Sequence, residues 1–255
     1  MKLFVQAYSY QDNLPSQKEL KTLLKKEYKI DTRRKDRFIY LALLGALKLQ
    51  ENTAIDTKSE LYITSSLGNI DVVDSVYNTM ILNKEIMALF DFINLLGNTT
   101  NFYVAKVLGL RGKSLYTISQ KNNILNLLTT IKASLAQSGN EAVFGTIDAL
   151  PKQLELAKRL SGVAKEETLQ EEISFFQLSS TSNKHTLATL EFEQKNYTKE
   201  EVLAYENLLI SNENSGGFGS LIPKEITKCI KEKKNTTIAF SNEGYYKIIT
   251  IKGKR

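Results

Sequence analysis

The residues best placed for chemistry lie where a predicted strand turns sharply into a predicted helix, within residues 111–135. The strand is Ser114–Ile118, and the helix after it carries apolar residues at helical spacing. This core-facing stripe consists of Ile124, Leu125, Leu127, Leu128, Ile131 and Leu135. Enzymes often place a nucleophile at such an elbow, because the free N–H groups and the dipole of the helix N-terminus favour negative charge there.

The side chains at this elbow are Gln120, Lys121 and Asn122, and none is a nucleophile of the usual kind. Lys121 is the one that could serve as an amine nucleophile or base. Other candidates for chemistry are weak. Gly112, Lys113 and Ser114 do not form a phosphate-binding P-loop, since position 107 is Val. The glycine-rich residues 215–219 are typical of a surface loop.

Composition excludes several classes of site. One cysteine, Cys229, rules out an internal disulfide and a cysteine metal cluster, and one histidine, His185, rules out a multi-histidine zinc site. We expect Cys229 to be a packed residue and His185 to be structural or solvated. No apolar run is long enough to span a membrane. The sequence therefore predicts a cytoplasmic protein with no metal and no cofactor.

The chain is basic, with a net charge of +6 and a pI near 9.1. Much of the excess lies in residues 18–37, and the candidate basic patch consists of Lys25, Lys26, Arg33, Arg34 and Arg37. Such a patch can attract nucleic acid, anionic lipid or an acidic protein. Interleaved Glu and Asp favour the alternative of an ordinary solvated face.

Periodicity predicts alternating strands and helices. Strands are predicted at residues 3–8, 61–64, 114–118, 142–147, 186–192, 236–240 and 245–251. Helices are predicted at 17–28, 37–49, around 71–81, at 98–108, after the elbow, from Pro151, and at 198–209 and 223–231. We expect an inward apolar face formed by Val72, Val73, Val76, Met80 and Ile81, and an acidic surface turn at Glu166, Glu167, Glu171 and Glu172. This order predicts an α/β sandwich.

Several local motifs, taken together, resemble one family. Residues 34–37, Arg-Lys-Asp-Arg, precede the apolar stretch LALLGALKL, and Gly68 follows a strand end. Phe92 precedes Asn98 by six residues, and the next helix ends in Leu-Gly-Leu-Arg-Gly at 108–112. Residues 145–148 correspond to a small-residue turn after the elbow helix. In order and spacing, these features resemble the N-terminal half of a β-ketoacyl-acyl carrier protein synthase, a condensing enzyme with the thiolase fold.

The resemblance implies a thiolase-like layered α/β sandwich of one lobe, truncated relative to full-length synthases. Residues 1–195 would form this domain, and residues 196–255 a short mixed extension packed on it. The family's catalytic cysteine would fall at Gln120 or Lys121, neither of which can form its thioester. We therefore expect no catalytic residue for condensation, and a likeness to the non-catalytic chain-length factors of aryl-polyene and type II polyketide systems.

The same resemblance implies a heterodimer with a full-length β-ketoacyl synthase and an indirect relation to acyl carrier protein, with neither nucleic acid nor a membrane span involved. The candidate interface and tunnel residues are Phe102, Tyr103, Ser114, Leu115, Tyr116, Thr117 and Ile118. Two alternatives remain open at this point. One is an enzyme of altered chemistry on this fold that uses Lys121, and the other is a basic module that binds nucleic acid or membranes.

Overall fold

The computed structural model describes residues 1–118, 123–161, 163, 166, 168–193, 195–211, 221–242 and 244–254. Its strands are β1 (Lys2–Gln11), β2 (Glu60–Ser65), β3 (Ser114–Ile118), β4 (Ala142–Asp148), β5 (Glu172–Ser179), β6 (Ala188–Phe192), β7 (Leu208–Ser211), β8 (Asn235–Asn242) and β9 (Tyr245–Gly253). Its α-helices are α1 (Gln17–Lys26), α2 (Arg37–Asn52), α3 (Ile70–Tyr77), α4 (Leu89–Leu95), α5 (Asn98–Leu108), α6 (Asn123–Ser138), α7 (Leu154–Ser161), α8 (Lys199–Leu203) and α9 (Leu221–Glu232). A π-helical segment, Asn78–Leu82, follows α3.

The nine strands form one mixed sheet in the order β3-β2-β4-β5-β1-β6-β9-β8-β7. β3, β2 and β4 are parallel to one another, as are β7 and β8, and all other neighbours are antiparallel. The predicted α/β sandwich is confirmed. The strands after residue 195 continue the same sheet, while the predicted domain boundary there stays a prediction.

Helices cover both faces of the sheet. On one face α2 packs against β1, β4 and β5, α5 packs against β2 and β3, and α1 packs on α2. On the other face α6 and α9 pack against strands from both ends of the chain. The ring of Phe175 shows how closely α2 approaches the sheet. A Cβ atom added at Gly45 of α2 or at Gly145 of β4 would lie 2.5 Å from this ring. The two glycines therefore allow the helix and the strand to close on a buried aromatic side chain.

Local signals explain where the helices begin and end. Ser16 and Glu19 form a capping box at the start of α1, and the Asp36 carboxylate accepts a hydrogen bond from the Ile39 N–H at the start of α2. Gly109 ends α5 in the left-handed conformation, with φ of 70°. The predicted stripe of α6, from Ile124 to Leu135, is buried and therefore confirmed.

Several predictions were wrong. The acidic turn instead contains the start of β5, a strand between β4 and β1 whose first residue, Glu172, is buried. The helix after Pro151 begins three residues later, at Leu154. Residues 145–148, which the resemblance placed in a turn, belong to β4, as the strand predicted from periodicity at 142–147 has it. The helix predicted at 198–209 ends at Leu203, and β7 follows it.

Candidate functional site

The strand β3 lies at one edge of the sheet and pairs only with β2 among the described strands. The Leu61 N–H donates a hydrogen bond to the Lys113 carbonyl, at 2.8 Å. Because backbone groups alternate along a strand, the N–H and C=O groups of Ser114, Tyr116 and Ile118 point away from β2. The predicted strand is thus confirmed, and it presents an open row of hydrogen-bonding groups.

The side chains of β3 divide between outside and inside. Leu115 and Ile118 are 39% and 60% exposed. Thr117 lies beside Leu115 at the edge, and its hydroxyl is buried without a hydrogen-bond partner among the described residues. Ser114 accepts a hydrogen bond from the Asn101 amide, at 2.8 Å, which fixes the start of the strand to α5.

Tyr116 points into the protein and connects β3 to the turns beside it. Its ring meets Phe38 edge to face, with 6.4 Å between ring centroids. A Cβ atom added at Gly97 would lie 2.6 Å from this ring, and one added at Gly68 would lie 2.8 Å from Ile118. Burial raises the pKa of the Tyr116 phenol, and the charges of Asp148 and Asp36 raise it further. Tyr116 therefore holds the edge strand in place.

An apolar surface formed by residues 70–96 flanks this edge. The prediction that α3 turns an apolar face inward was wrong, because α3, the π-helical segment and α4 contain no buried residue. The exposed apolar side chains are Val73, Tyr77, Met80, Ile81, Leu82, Ile86, Leu89, Phe92 and Leu96. Ile86 is 99% exposed. Exposed apolar side chains concentrated in one segment are typical of interaction surfaces.

A buried carboxyl group fixes the turn that precedes this surface. Asp148, at the end of β4, is 1% exposed and accepts a hydrogen bond from the Ser66 N–H at 2.8 Å. Burial raises the pKa of Asp148 to about 6. Asn69 donates to Asp36, at 2.6 Å, and so ties the same turn to the start of α2. The sequence interpretation assigned no role to these groups, because nothing in the sequence indicates that the two strand ends meet.

The predicted position of the lost nucleophile, Gln120, Lys121 and Asn122, lies outside the described residues. Its flanks are described: β3 ends at Ile118, and α6 begins at Asn123. The strand-to-helix order on either side agrees with the prediction. The sequence alone gives the side chains at these three positions.

The predicted basic patch divides into three parts. Lys25 and Lys26 lie on the last turn of α1. Arg37 is instead half-buried, and its guanidinium pairs with Glu171 and donates to the Pro15 carbonyl. Arg33 and Arg34 line a groove of about 640 Å³ together with Phe102 and Tyr103.

That groove combines cations with aromatic rings, and we call it the basic groove. Its charged residues are Lys29, Asp31, Arg33, Arg34, Lys35 and Lys106. The Arg34 guanidinium lies 4.0 Å from the centre of the Phe90 ring, and the Lys35 ammonium lies 4.3 Å from that of Tyr103. Part of the candidate basic patch, Arg33 and Arg34, therefore meets two of the candidate interface residues, Phe102 and Tyr103, in this groove.

The one cysteine and the one histidine of the sequence lie in different environments. Cys229 of α9 is buried, and its thiol donates to the Thr236 hydroxyl at 3.3 Å. Burial raises the pKa of this thiol, so it is held in the unreactive form. His185 is exposed in the loop before β6.

Within the described ranges, no group of three or more His, Cys, Asp or Glu side chains could hold a metal ion. No helix in the described part of the chain is long and apolar enough to cross a membrane.

Comparison with known proteins establishes the fold. No protein-family model and no curated protein sequence matches the chain. Among solved structures, the ishigamide ketosynthase/chain length factor aligns over 100% of both chains with a TM-score of 0.71 and 10% identity. The ketosynthase ApeO in complex with its chain length factor ApeC, from Xenorhabdus doucetiae, aligns over 99% of both chains with a TM-score of 0.66 and 10% identity. The AntDE:AntF assembly, a ketosynthase with its acyl-carrier protein, aligns over 99% of both chains with a TM-score of 0.62 and 11% identity.

Proposed function

We propose that this chain, which has the fold of ketosynthases and chain length factors, is a non-catalytic cytoplasmic subunit that pairs with an active β-ketoacyl synthase. In that role it would shape the acyl tunnel of its partner, as a chain-length factor in polyene, polyketide or fatty-acid-like biosynthesis. The observation that carries the proposal is the open edge of β3 beside the exposed apolar surface of residues 70–96.

The open edge of β3 and the exposed apolar side chains of residues 70–96 both favour binding of a protein partner. An open strand edge gains hydrogen bonds when another strand adds to it, and apolar side chains gain free energy when they leave water. A stable interface buries roughly 1,600 Å² in total, which needs an extended surface of this kind. The ishigamide and ApeO structures are themselves assemblies of a ketosynthase with a chain length factor.

The residues present support a non-catalytic role. The elbow carries Gln120, Lys121 and Asn122 in place of a cysteine. The one cysteine lies in α9, where it is buried among apolar side chains and has a raised pKa. The one histidine is exposed on a loop. None of these residues supplies a thiolate paired with a histidine, which thioester chemistry requires.

The basic groove supports a relation to acyl carrier protein. It holds five cations, Lys29, Arg33, Arg34, Lys35 and Lys106, against one carboxylate, Asp31. A positive surface steers an acidic partner during diffusional encounter. The carrier would then deliver its acyl chain to the synthase. This subunit would attract the carrier electrostatically and would not take part in the reaction.

The experiment is co-expression with a full-length, cysteine-bearing synthase encoded nearby, followed by size-exclusion chromatography and analysis of product length. We expect a 1:1 complex, and an altered product length when the subunit is omitted. Absence of a complex together with an unchanged product would contradict the proposal.

A matched pair of proline variants tests the role of the β3 edge. Ile118→Pro removes an N–H that points away from β2, so it blocks strand addition without breaking the existing pairing. The control is Ile210→Pro at the opposite edge, in β7. The Thr237 N–H donates to the Asn207 carbonyl, so the N–H of Ile210 also points outward. We expect Ile118→Pro to abolish co-elution with the synthase and Ile210→Pro to preserve it.

A further inference from the structure

The second half of β1 has one open side in the middle of the sheet. β1 pairs with β5 from Phe4 to Gln11, whereas β6 pairs only with residues 2–5. A bulge between Val5 and Ala7 separates the two halves. Among the described strands, none lies beside residues 6–11 on the side where β6 would continue.

Backbone groups point into this opening. The Leu187 N–H donates to the Val5 carbonyl, so Val5 faces β6. Because the bulge adds one residue, Tyr8 and Tyr10 take up the same orientation after it. The Asn52 amide donates to the Tyr8 carbonyl from this side, at 2.9 Å. On this side, no described residue accepts a hydrogen bond from the N–H group of Tyr8 or Tyr10.

The opening forms a groove of about 1060 Å³, which we call the central groove. Its charged and titratable residues are Lys48, Glu51, Lys184, His185, Lys231, Lys233 and Lys254. Lys48 pairs with Glu51 at 2.9 Å. The other four lysines form no ion pair with any described carboxylate. The central groove therefore has a strong excess of positive charge.

We propose that the central groove binds an extended acidic peptide segment of another protein, which adds as a strand along β1 at Tyr8 and Tyr10. The free N–H groups provide the main-chain hydrogen bonds of such strand addition, and the lysines select acidic side chains. Lys231 and Lys233 lie at the end of α9, on one face of the sheet. Since side chains alternate along a strand, every second residue of the segment is acidic.

Binding of such a peptide would be separate from the proposed pairing with a synthase. Four strand spacings separate β1 from β3, about 19 Å in all. The peptide and a synthase bound at β3 would therefore occupy different parts of the sheet. The central groove also lies apart from the basic groove, with which it shares no lining residue.

The test uses the full chain and a fluorescein-labelled peptide in which Glu alternates with Val and Thr, with fluorescence anisotropy as the readout. We expect saturable binding that the same peptide with Lys in place of Glu does not show. The double variant Lys231→Glu, Lys233→Glu should weaken binding about tenfold or more. The matched double variant Lys25→Glu, Lys26→Glu, on α1, should bind within about twofold of the original chain.

Backbone methylation of the peptide separates strand addition from simple charge attraction. Two peptides carry N-methyl groups on alternate sets of residues, and only the set whose N–H groups face β1 should lose binding. Equal binding by both methylated peptides, or no binding by the parent peptide, would overturn the proposal. Equally tight binding of a single-stranded DNA oligonucleotide of similar charge would identify a general polyanion site and would overturn it as well.

Discussion

Asp148 is a carboxyl group that the fold buries beside the ends of the parallel strands. Its pKa of about 6 lies above that of an aspartate in an unfolded chain, about 3.9. The folded protein therefore binds a proton more readily than the unfolded chain does. Stability from this group is fully present below pH 4, falls as the pH rises towards 6, and stays reduced above that.

The variant Asp148→Asn tests this account. Asparagine keeps an oxygen that can accept from the Ser66 N–H but carries no charge. At pH 7 we expect the free energy of unfolding to rise by about 2 to 3 kcal/mol relative to the original chain. Near pH 4 the difference should disappear. Urea denaturation at both pH values measures it, with the exposed Asp12→Asn as control, and a difference independent of pH would refute the assignment.

Arg37 and Glu171 form an ion pair that is mostly shielded from water, with side chains 24% and 10% exposed. The Glu171 carboxylate also accepts from the Leu150 N–H at 3.0 Å, so it joins α2, β5 and the loop after β4. We expect Glu171→Gln to lower the free energy of unfolding by about 3 kcal/mol, because it leaves Arg37 without its counter-charge. Asp31→Asn, which breaks the exposed pair with Arg33, should leave the denaturation midpoint unchanged.

At the scale of elements, α3 and the π-helical segment lie on the surface. Substitutions there should therefore change association with a partner without changing the stability of the folded chain. Met80 and Ile81 are 46% and 59% exposed, so they contribute little to the folded chain alone. We expect Met80→Glu with Ile81→Glu to leave thermal unfolding of the isolated chain unchanged and to weaken pairing with a synthase by about tenfold or more. Leu203→Glu, at a position of α8 that is 59% exposed, is the control. Equal loss of pairing in both variants would argue against an interface at residues 70–96.

Sequence patterns predicted those elements whose signal is local. The short strand β3 and the apolar stripe of α6 need no knowledge of neighbours, and both are confirmed. The sequence showed that α3 has an apolar face. A periodic pattern does not show, however, whether residues of the same chain or of a partner pack against that face. β5 was missed because Glu171 and Glu172 suggested a surface turn, whereas Tyr10 and Arg37 satisfy these carboxylates inside the fold.

Two features, the ion pair of Arg37 and the open side of β1, could not be predicted from the sequence for a similar reason. Arg37 belonged to the basic patch by sequence proximity, and only the approach of Glu171, 134 residues away, engages it in a half-buried ion pair. The open half of β1 depends on where β6 begins. Neither feature has a sequence signature, since each arises from contacts between distant parts of the chain.

At the scale of the whole molecule, pairing should appear as added thermal stability. A synthase that binds the folded chain and not the unfolded chain raises the unfolding temperature by mass action. We expect the transition of this chain to move upward with synthase concentration, and the Ile118→Pro variant to show no such shift. An unchanged transition for the original chain at a concentration that gives co-elution would mean that the surface used for pairing does not depend on the fold.

The twist of the nine-stranded sheet limits how many chains can join it edge to edge. Neighbouring strands turn by roughly 20 to 25° relative to each other, so the eight steps from β3 to β7 add up to about 160 to 200°. The two outer edges are thus rotated by about half a turn. If the synthase pairs at β3, the β7 edge lies far away and is twisted out of line with it, which opposes growth of a continuous ribbon and favours an assembly of two chains.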